Sequence, residues 1–345
     1  MQPDAPIETS ARRRWVRTML AAFAVFGALL MSVWWTLALA LRLPGPTWLA
    51  GGVAALYAIG SAAILLAVRP LRRAFGWWVV GVLVLSVWWS TIRPSNDRDW
   101  VPEVERLATG EVHGDTLVLH NVRNFDYRTE TEFTPRWEDR TYDLAGLSGL
   151  DLFLSHWGAP GIAHTIMSWE FADGQHLAIS IETRREHGEE YSALRGFFRQ
   201  YELYYVVADE RDVVRLRTNY RGEDVYLYRI RVGPDAARAL LLDYVATLNR
   251  LAAQPEFYNA LIDNCTTGIR IHTRNIQAAG PWDWRILANG TIDEMLYERG
   301  RLDQSRSFTE LRAASWINAR ARAADADPDF SRRIREPSGA DASAP

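Results

Sequence analysis

The chemistry available to this chain starts from its single cysteine, Cys265. The two residues before it, Asp263 and Asn264, favour the N-cap position of a helix, and Ile269 and Ile271 are compatible with a helix packed on one side. A cysteine at the start of a helix lies at the positive end of the helix dipole, which favours the nucleophilic thiolate. Cys265 is therefore a candidate nucleophile, although a lone cysteine can also be a small buried hydrophobe.

A nucleophilic cysteine needs a base within hydrogen-bonding reach and usually a third group that orients this base. Among the seven histidines, His164 is the best placed, because it lies within the predicted strand 163–171. Glu182 lies in the next predicted strand, 175–182, and is the candidate orienting acid. Each residue alone has an ordinary explanation, as a hydrogen-bonded histidine of a sheet and as a solvated carboxylate.

The turn between these two strands allows their register to be predicted. Ala172-Asp173-Gly174 can form a three-residue loop with its glycine in the left-handed conformation. In the antiparallel hairpin that this loop closes, the residue numbers of any two paired residues add up to the same total. His164 then lies opposite Glu182 on the same face of the sheet. A two-residue turn at Asp173-Gly174 would instead place Thr183 opposite His164. We favour the first register, which brings the candidate base and acid together.

Three long apolar runs precede residue 93, whereas the rest of the chain has the composition of an ordinary mixed domain. The runs are 18–41, 47–68 and 76–92, and each is long enough to cross a bilayer, the last only just. A cleaved signal peptide explains the first run poorly, because the run is too long and no small-residue cleavage pattern follows it. The sequence therefore predicts a three-span membrane anchor over residues 1–93.

The distribution of arginine around these runs predicts their orientation. The first loop carries only Arg42, whereas the N-terminus and the second loop are rich in arginine, at Arg12, Arg13, Arg14, Arg17, Arg69, Arg72 and Arg73. By the positive-inside rule, we expect the N-terminus to be cytoplasmic and everything after the third span to lie on the far side of the inner membrane, which is the periplasm in a Gram-negative bacterium. A single cysteine in that oxidising compartment is a partner for another chain, an inert buried thiol or a reactive thiol.

Composition and patterning after the anchor predict the remaining organisation. Residues 94–112 have the composition of a linker with a short helix, residues 113–322 that of a globular domain, and residues 323–345 that of a disordered tail. Alternating strands and an amphipathic helix over 234–252 predict an α+β fold in which an antiparallel sheet packs on helices. The net charge of −3 and the lack of a basic patch argue against a nucleic-acid partner. The sequence shows neither HExxH-type spacing nor a glycine-rich phosphate loop, so we expect no metal site and no cofactor.

Several ordered motifs between about residues 113 and 300 resemble the Lnb-type periplasmic domain, a family named after bacterial lipoprotein N-acyltransferases. The predicted order of histidine, acid and cysteine also resembles the circularly permuted papain-like hydrolases and acyltransferases, which are related to the NlpC/P60 and lecithin:retinol acyltransferase groups. The motifs that carry the resemblance are Val122-Arg123-Asn124-Phe125-Asp126-Tyr127, Ala163-His164-Thr165, Ser180-Ile181-Glu182-Thr183-Arg184, Asp209-Glu210-Arg211-Asp212, Leu216-Arg217, Phe257-Tyr258-Asn259 and Asn264-Cys265-Thr266-Thr267.

The resemblance implies a permuted papain-like fold and a thiol mechanism. Cys265 would attack an acyl carbonyl, His164 would take and return the proton, and Glu182 would orient the imidazole. Four further residues of the same motifs are candidate substrate-binding groups: Asn264, Thr266, Tyr258 and Arg184.

The implied reaction moves an acyl chain from a membrane phospholipid to an amine, such as the N-terminus of a lipoprotein. Two alternatives stay open. The same residues could hydrolyse a peptide or amide bond in cell-wall material. The domain could also be a non-catalytic, membrane-anchored binding module, whose arginines would bind phosphate or a partner, or be solvated: Arg184, Arg211, Arg215 and Arg217.

Overall fold

The computed structural model describes residues 7–158, 161–260 and 264–337, with side chains from residue 12 onward. The chain divides into two compact units. The first comprises residues 1–93 together with 198–200, and the second comprises residues 94–197 and those from 201 onward.

The first unit is built from three long helices, α1 (Ile7–Arg42), α2 (Thr47–Ala67) and α3 (Leu71–Thr91). All three are long and apolar enough to cross a membrane, as the sequence predicts. Ser32 of α1 accepts a hydrogen bond from the indole of Trp78 in α3, at 2.9 Å. Trp35 of α1 and Trp89 of α3 meet edge to face, with ring centroids 6.2 Å apart. Tryptophans of α1 and α3 therefore pack between helices.

The second unit is built around one predominantly antiparallel sheet of eight strands. The spatial order is β1-β2-β9-β8-β7-β6-β10, and β5 pairs with β2 outside this path. The strands are β1 (Thr109–His113), β2 (Thr116–Arg123), β5 (Trp137–Asp143), β6 (Leu147–His156), β7 (Ala163–Phe171), β8 (His176–Arg184), β9 (Glu202–Ala208) and β10 (Asp224–Arg229), and a separate two-stranded ribbon is formed by β3 (Asp126–Tyr127) and β4 (Phe133–Thr134).

Eight helices accompany the sheet in the described part of this unit. They are α4 (Ala193–Gly196), α5 (Glu210–Arg215), α6 (Pro234–Ala253), α7 (Cys265–Asn275), α8 (Ile292–Glu298), α9 (Phe308–Ser315), α10 (Asn318–Ala323) and α11 (Phe330–Arg333). The α+β class and the three N-terminal apolar helices are thus confirmed.

The sheet is covered on both faces, and buried apolar residues of its central strands contribute to a core on each side. On one face, α6 and α7 pack against the sheet, where Trp169 of β7 meets Tyr244 of α6 edge to face. On the other face, side chains of α5, α10 and α11 form a second core with Phe153. Fully burying a large apolar side chain contributes about 1.5–3 kcal/mol, so both layers stabilise the sheet that carries the site.

The predicted three-residue turn and its register are confirmed. Gly174 has φ of +86°, and the backbone N–H of Phe171 donates to the Gln175 carbonyl at 3.0 Å. In the ladder between β7 and β8, Ile166 pairs with Ser180, so paired numbers sum to the predicted constant. His164 and Glu182 consequently share a face.

Two boundary predictions are wrong. The predicted linker 94–112 contains a short helix, the 3-10 turn at Pro102–Val104, but its end belongs to the edge strand β1 and its Trp100 is buried in the second core. The predicted disordered tail 323–345 is ordered over its described part, because Phe330 and Ile334 are buried in the same core. In both segments a few well-spaced apolar residues suffice for packing, although the surrounding composition is polar.

Candidate active site

Cys265 is the first residue of α7, and the residue is half-buried. Asn264 is the N-cap, as predicted. Its side-chain oxygen accepts hydrogen bonds from the backbone N–H groups of Thr266 at 3.0 Å and Thr267 at 2.9 Å. The other proposed cap, Asp263, lies outside the described residues. Asn264 also donates to the carbonyl of Ala260 at 3.1 Å, so its side chain builds the helix start that holds the thiol.

A glycine allows α7 to lie close to the sheet. A Cβ atom at Gly268 would come within 2.6 Å of the Cδ1 atom of Ile181 in β8, which is closer than real Cβ atoms approach. The absence of a side chain at this position therefore permits the helix that carries Cys265 to pack closely on the strand that carries Glu182.

His164 is linked to Glu182 through a residue that the sequence reasoning missed. Its Nε2 atom lies 2.6 Å from the Ser180 Oγ and 3.4 Å from Glu182 Oε1, and Ser180 donates its hydroxyl hydrogen to the same Oε1 at 2.8 Å. Because the hydroxyl has only one hydrogen, it must accept from His164, which places the ring proton on Nε2. The Nδ1 atom is then the ring nitrogen left for Cys265.

The electrostatics of Cys265 and His164 favour the charged forms of both side chains. Burial raises the pKa of the Cys265 thiol, but the charge of His164 and a hydrogen bond to it outweigh burial and lower the pKa to about 6. Burial and Arg217 lower the pKa of His164, but Cys265 and Glu182 outweigh them and raise it above its ordinary value. The two groups titrate together, and around neutral pH they favour a thiolate and an imidazolium.

Glu182 is held in its charged form by a buried ion-pair chain. Burial raises the pKa of Glu182, but His164 and Arg217 reverse this effect and hold it well below its ordinary value. Arg217 donates to Glu182 at 3.1 Å and to Glu223 at 2.9 Å, and Ser155 donates to Glu223 at 2.5 Å. The guanidinium therefore sits between two carboxylates, and the chain extends from the imidazole into the protein.

A second residue that the sequence reasoning missed, Asn289, contacts the thiol from another segment. Its Nδ2 atom donates to the Thr266 hydroxyl at 2.6 Å and lies 3.6 Å from the Cys265 sulfur. Its Oδ1 atom accepts from the backbone N–H of Ala163 at 2.9 Å. Asn289 lies in a short 3-10 turn without a recognisable motif, so no local signal in the sequence points to it.

The four predicted substrate-binding residues differ in their surroundings. Thr266 lies beside the thiol and is buried. Tyr258 is buried in the first core, and Asn264 caps the start of α7 as described.

The prediction that Arg184 binds substrate is wrong, because its guanidinium is buried over the Trp100 ring at 4.3 Å. Its nitrogens donate to the carbonyls of residues 104 and 105 and to the side chain of residue 96, so it is used internally.

The other motif arginines also hold the fold together. Arg123 forms a buried pair with Asp212, at 2.7 Å, and Asp212 also accepts from the backbone N–H of Phe125 at 2.7 Å. Arg215 is buried and pairs with Asp126 at 2.8 Å. Burial explains why neither a solvated nor a ligand-binding role fits Arg215.

An apolar cavity of about 390 Å³ begins beside the candidate site. Thr165 and Thr266 line it, and these two residues flank His164 and Cys265 in the sequence. The rest of the lining is largely aliphatic, including Leu152, Met167 and Ile269, and arginines also contribute to it. A cavity of this size and composition fits an extended apolar group better than a polar peptide.

Comparison with protein-family models gives a match between residues 133–290 and the model described as Lnb N-terminal periplasmic domain. The matched segment runs from β4 to the turn that contains Asn289, so it includes the candidate nucleophile, base and acid. The comparisons with curated proteins and with solved structures found no match.

Proposed function

Residues 133–290 belong to the Lnb N-terminal periplasmic domain family, as the motifs predict, and on this premise we propose that the protein is a thiol-dependent acyltransferase. The family and the three apolar helices identify a membrane protein with a periplasmic domain. The observation that carries the proposal is the meeting of three distant side chains: the Cys265 thiol, the His164 imidazole and the Glu182 carboxylate. The order of these residues along the chain also supports the permuted papain-like relationship.

In the proposed reaction, the Cys265 thiolate attacks the carbonyl carbon of an acyl ester. A carbon–sulfur bond forms, and the carbonyl electrons move to oxygen. When the tetrahedral intermediate collapses, the bond to the alcohol breaks, and the leaving oxygen takes a proton from the His164 imidazolium. An amine then attacks the thioester, gives its proton to His164 and releases the thiolate. Glu182 holds the imidazole in orientation throughout.

The apolar cavity favours a fatty acyl chain as the transferred group. Each buried methylene contributes about 0.8 kcal/mol, so an aliphatic lining selects long chains by length alone. We propose a membrane phospholipid as donor and an amine, such as a lipoprotein N-terminus, as acceptor. The arginines around the apolar helices support an inner-membrane location with the N-terminus in the cytoplasm, and on this proposal the site faces the periplasm.

The test is to trap the intermediate. The full chain, purified in detergent, is incubated with mixed micelles that contain phosphatidylethanolamine, quenched with acid and digested, and the Cys265 peptide is analysed by mass spectrometry. We expect a mass increase of one fatty acyl group that hydroxylamine removes. Cys265→Ala should show no adduct, and His164→Ala should acquire it much more slowly.

Two other results would overturn the proposal. Cleavage of cell-wall peptides by the wild type, without an acyl adduct, would assign the same site to a peptidase or amidase. A cysteine that forms no adduct and cleaves nothing, while the domain still binds lipid or peptide, would make it a binding module.

A further inference from the structure

Asn289 is buried beside the candidate nucleophile, and its side-chain amide contacts the sulfur. The residue is 4% exposed, and its amide reaches three groups on two other elements: the Ala163 backbone in β7, and the Thr266 hydroxyl and Cys265 sulfur in α7. It lies far from these residues in the sequence, yet its side chain contacts the sulfur that the proposed reaction uses.

The orientation of this amide is fixed by its partners. The Ala163 backbone N–H can only donate, so the Asn289 oxygen must face it, and the amide nitrogen must face Thr266 and Cys265. One amide hydrogen goes to the Thr266 hydroxyl at 2.6 Å. The second hydrogen is available toward the sulfur, 3.6 Å from the nitrogen.

This second hydrogen lies where negative charge develops during acyl transfer. When the thiolate adds to a carbonyl, the new oxyanion is bonded to the carbon that the sulfur has just attacked. A donor close to the sulfur that cannot rotate away is suited to this oxygen, because it needs no reorganisation during the reaction. The same donor has little to offer a reaction at a saturated carbon, which forms no oxyanion.

We propose that Asn289 donates its second amide hydrogen to the oxyanion of the tetrahedral intermediate formed at Cys265, and that Thr266 holds the amide in position for this bond. Asn289 is thus a catalytic residue and Thr266 a positioning residue. The inference rests on the proposed function, since it requires that Cys265 attack a carbonyl.

The experiment compares two reactions of the same thiol in the full chain. The first is acylation by a p-nitrophenyl ester of a fatty acid, which passes through an oxyanion, and the second is alkylation by iodoacetamide, which does not. Both rates are measured on the alkaline plateau, above the pKa of the thiol. Asn289→Asp keeps the acceptor for Ala163 and nearly the same volume, but its second oxygen cannot donate.

We expect Asn289→Asp to lower the ratio of acylation to alkylation by about 10²–10³-fold, the usual loss for one oxyanion donor. Asn289→Ala should give a similar loss of the ratio, and Thr266→Val a smaller loss, because the amide remains but is free to turn. Asn275→Ala removes an exposed amide from the other end of α7 and should leave both rates at wild-type values.

The outcomes separate the two proposals. A wild type that is alkylated but never acylated refutes the acyl-transfer function itself. A wild type that is acylated, with an unchanged ratio in both Asn289 variants, refutes the role of Asn289 alone. Equal losses of acylation and alkylation would also refute it, because they would mean that Asn289 only supports the fold or the thiolate.

Discussion

Removal of the His164 imidazole should change the reactivity of Cys265 in opposite directions at low and high pH. In the wild type, the thiol pKa is lowered to about 6, mainly by His164 acting against burial. In His164→Ala this cause is lost, and we expect the thiol to return toward the ordinary cysteine value of about 8.5. The variant should therefore hold much less thiolate at mildly acidic pH.

The size of the effect follows from these two pKa values. At pH 6.5, about four-fifths of the wild-type thiol is ionised, compared with about one-hundredth in the variant, a difference of about 80-fold. A thiolate of higher pKa is also the better nucleophile, by about tenfold over this interval. We therefore expect the variant to react about fourfold to eightfold more slowly at pH 6.5, and about tenfold faster near pH 10, where both thiols are ionised.

The assay is the rate of reaction of the full chain with dipyridyl disulfide between pH 5 and pH 10. His120→Ala is the control, because His120 forms a partly exposed pair with Asp139 at 2.9 Å and should give the wild-type profile. Superimposable profiles for the wild type and His164→Ala would refute the coupling of thiol and imidazole. A wild-type midpoint near 8.5 would show that Cys265 is an ordinary thiol.

Two further predictions test the supports of the site, both by thermal denaturation of the full chain. Arg217→Met should lower Tm by about 6–20 °C, because removing a partner of buried carboxylates costs about 3–5 kcal/mol of stability. The control Arg221→Met removes a more exposed partner and should cost less than about 1 kcal/mol. Equal shifts of Tm in the two variants would contradict the assignment of a buried ion-pair chain. Gly268→Ala should lower the stability by about 1–3 kcal/mol, because the new Cβ atom would contact Ile181. A second substitution in the same chain, Ile181→Val, deletes the contacting atom and should restore part of this stability. If the two substitutions instead lower the stability additively, this close approach does not matter.

The local features of the site could be predicted from the sequence because they depend on neighbouring residues. The loop ending at Gly174 determined the register of one hairpin, and that register brought His164 and Glu182 to the same face. Asn264 could be recognised as an N-cap from its residue type and position before Cys265. In each case the chemistry of a short stretch leaves few conformations.

The missed features depend on contacts between segments that are distant in the sequence. Ser180 is an unremarkable residue on a strand, and its role appears only once His164 lies across the ladder. Arg217 could be noted as a motif residue, but its burial between two carboxylates could not be foreseen. Asn289 reaches the sulfur from a turn 24 residues later. Arg184 shows the reverse error, since a charged motif residue is expected to face a ligand and instead packs over the Trp100 ring.

The most C-terminal arginine of the described chain joins two elements that were made much earlier. Arg335 donates to Asp151 in β6 and to Glu210 in α5, with its shortest contacts at 2.7 Å, and both carboxylates are almost inaccessible to water. Until residue 335 has been synthesised, these two acids lack this cation. The second core can therefore be completed only once the segment that carries Arg335 packs against β6 and α5, and a sheet that forms before this step is only partly stabilised.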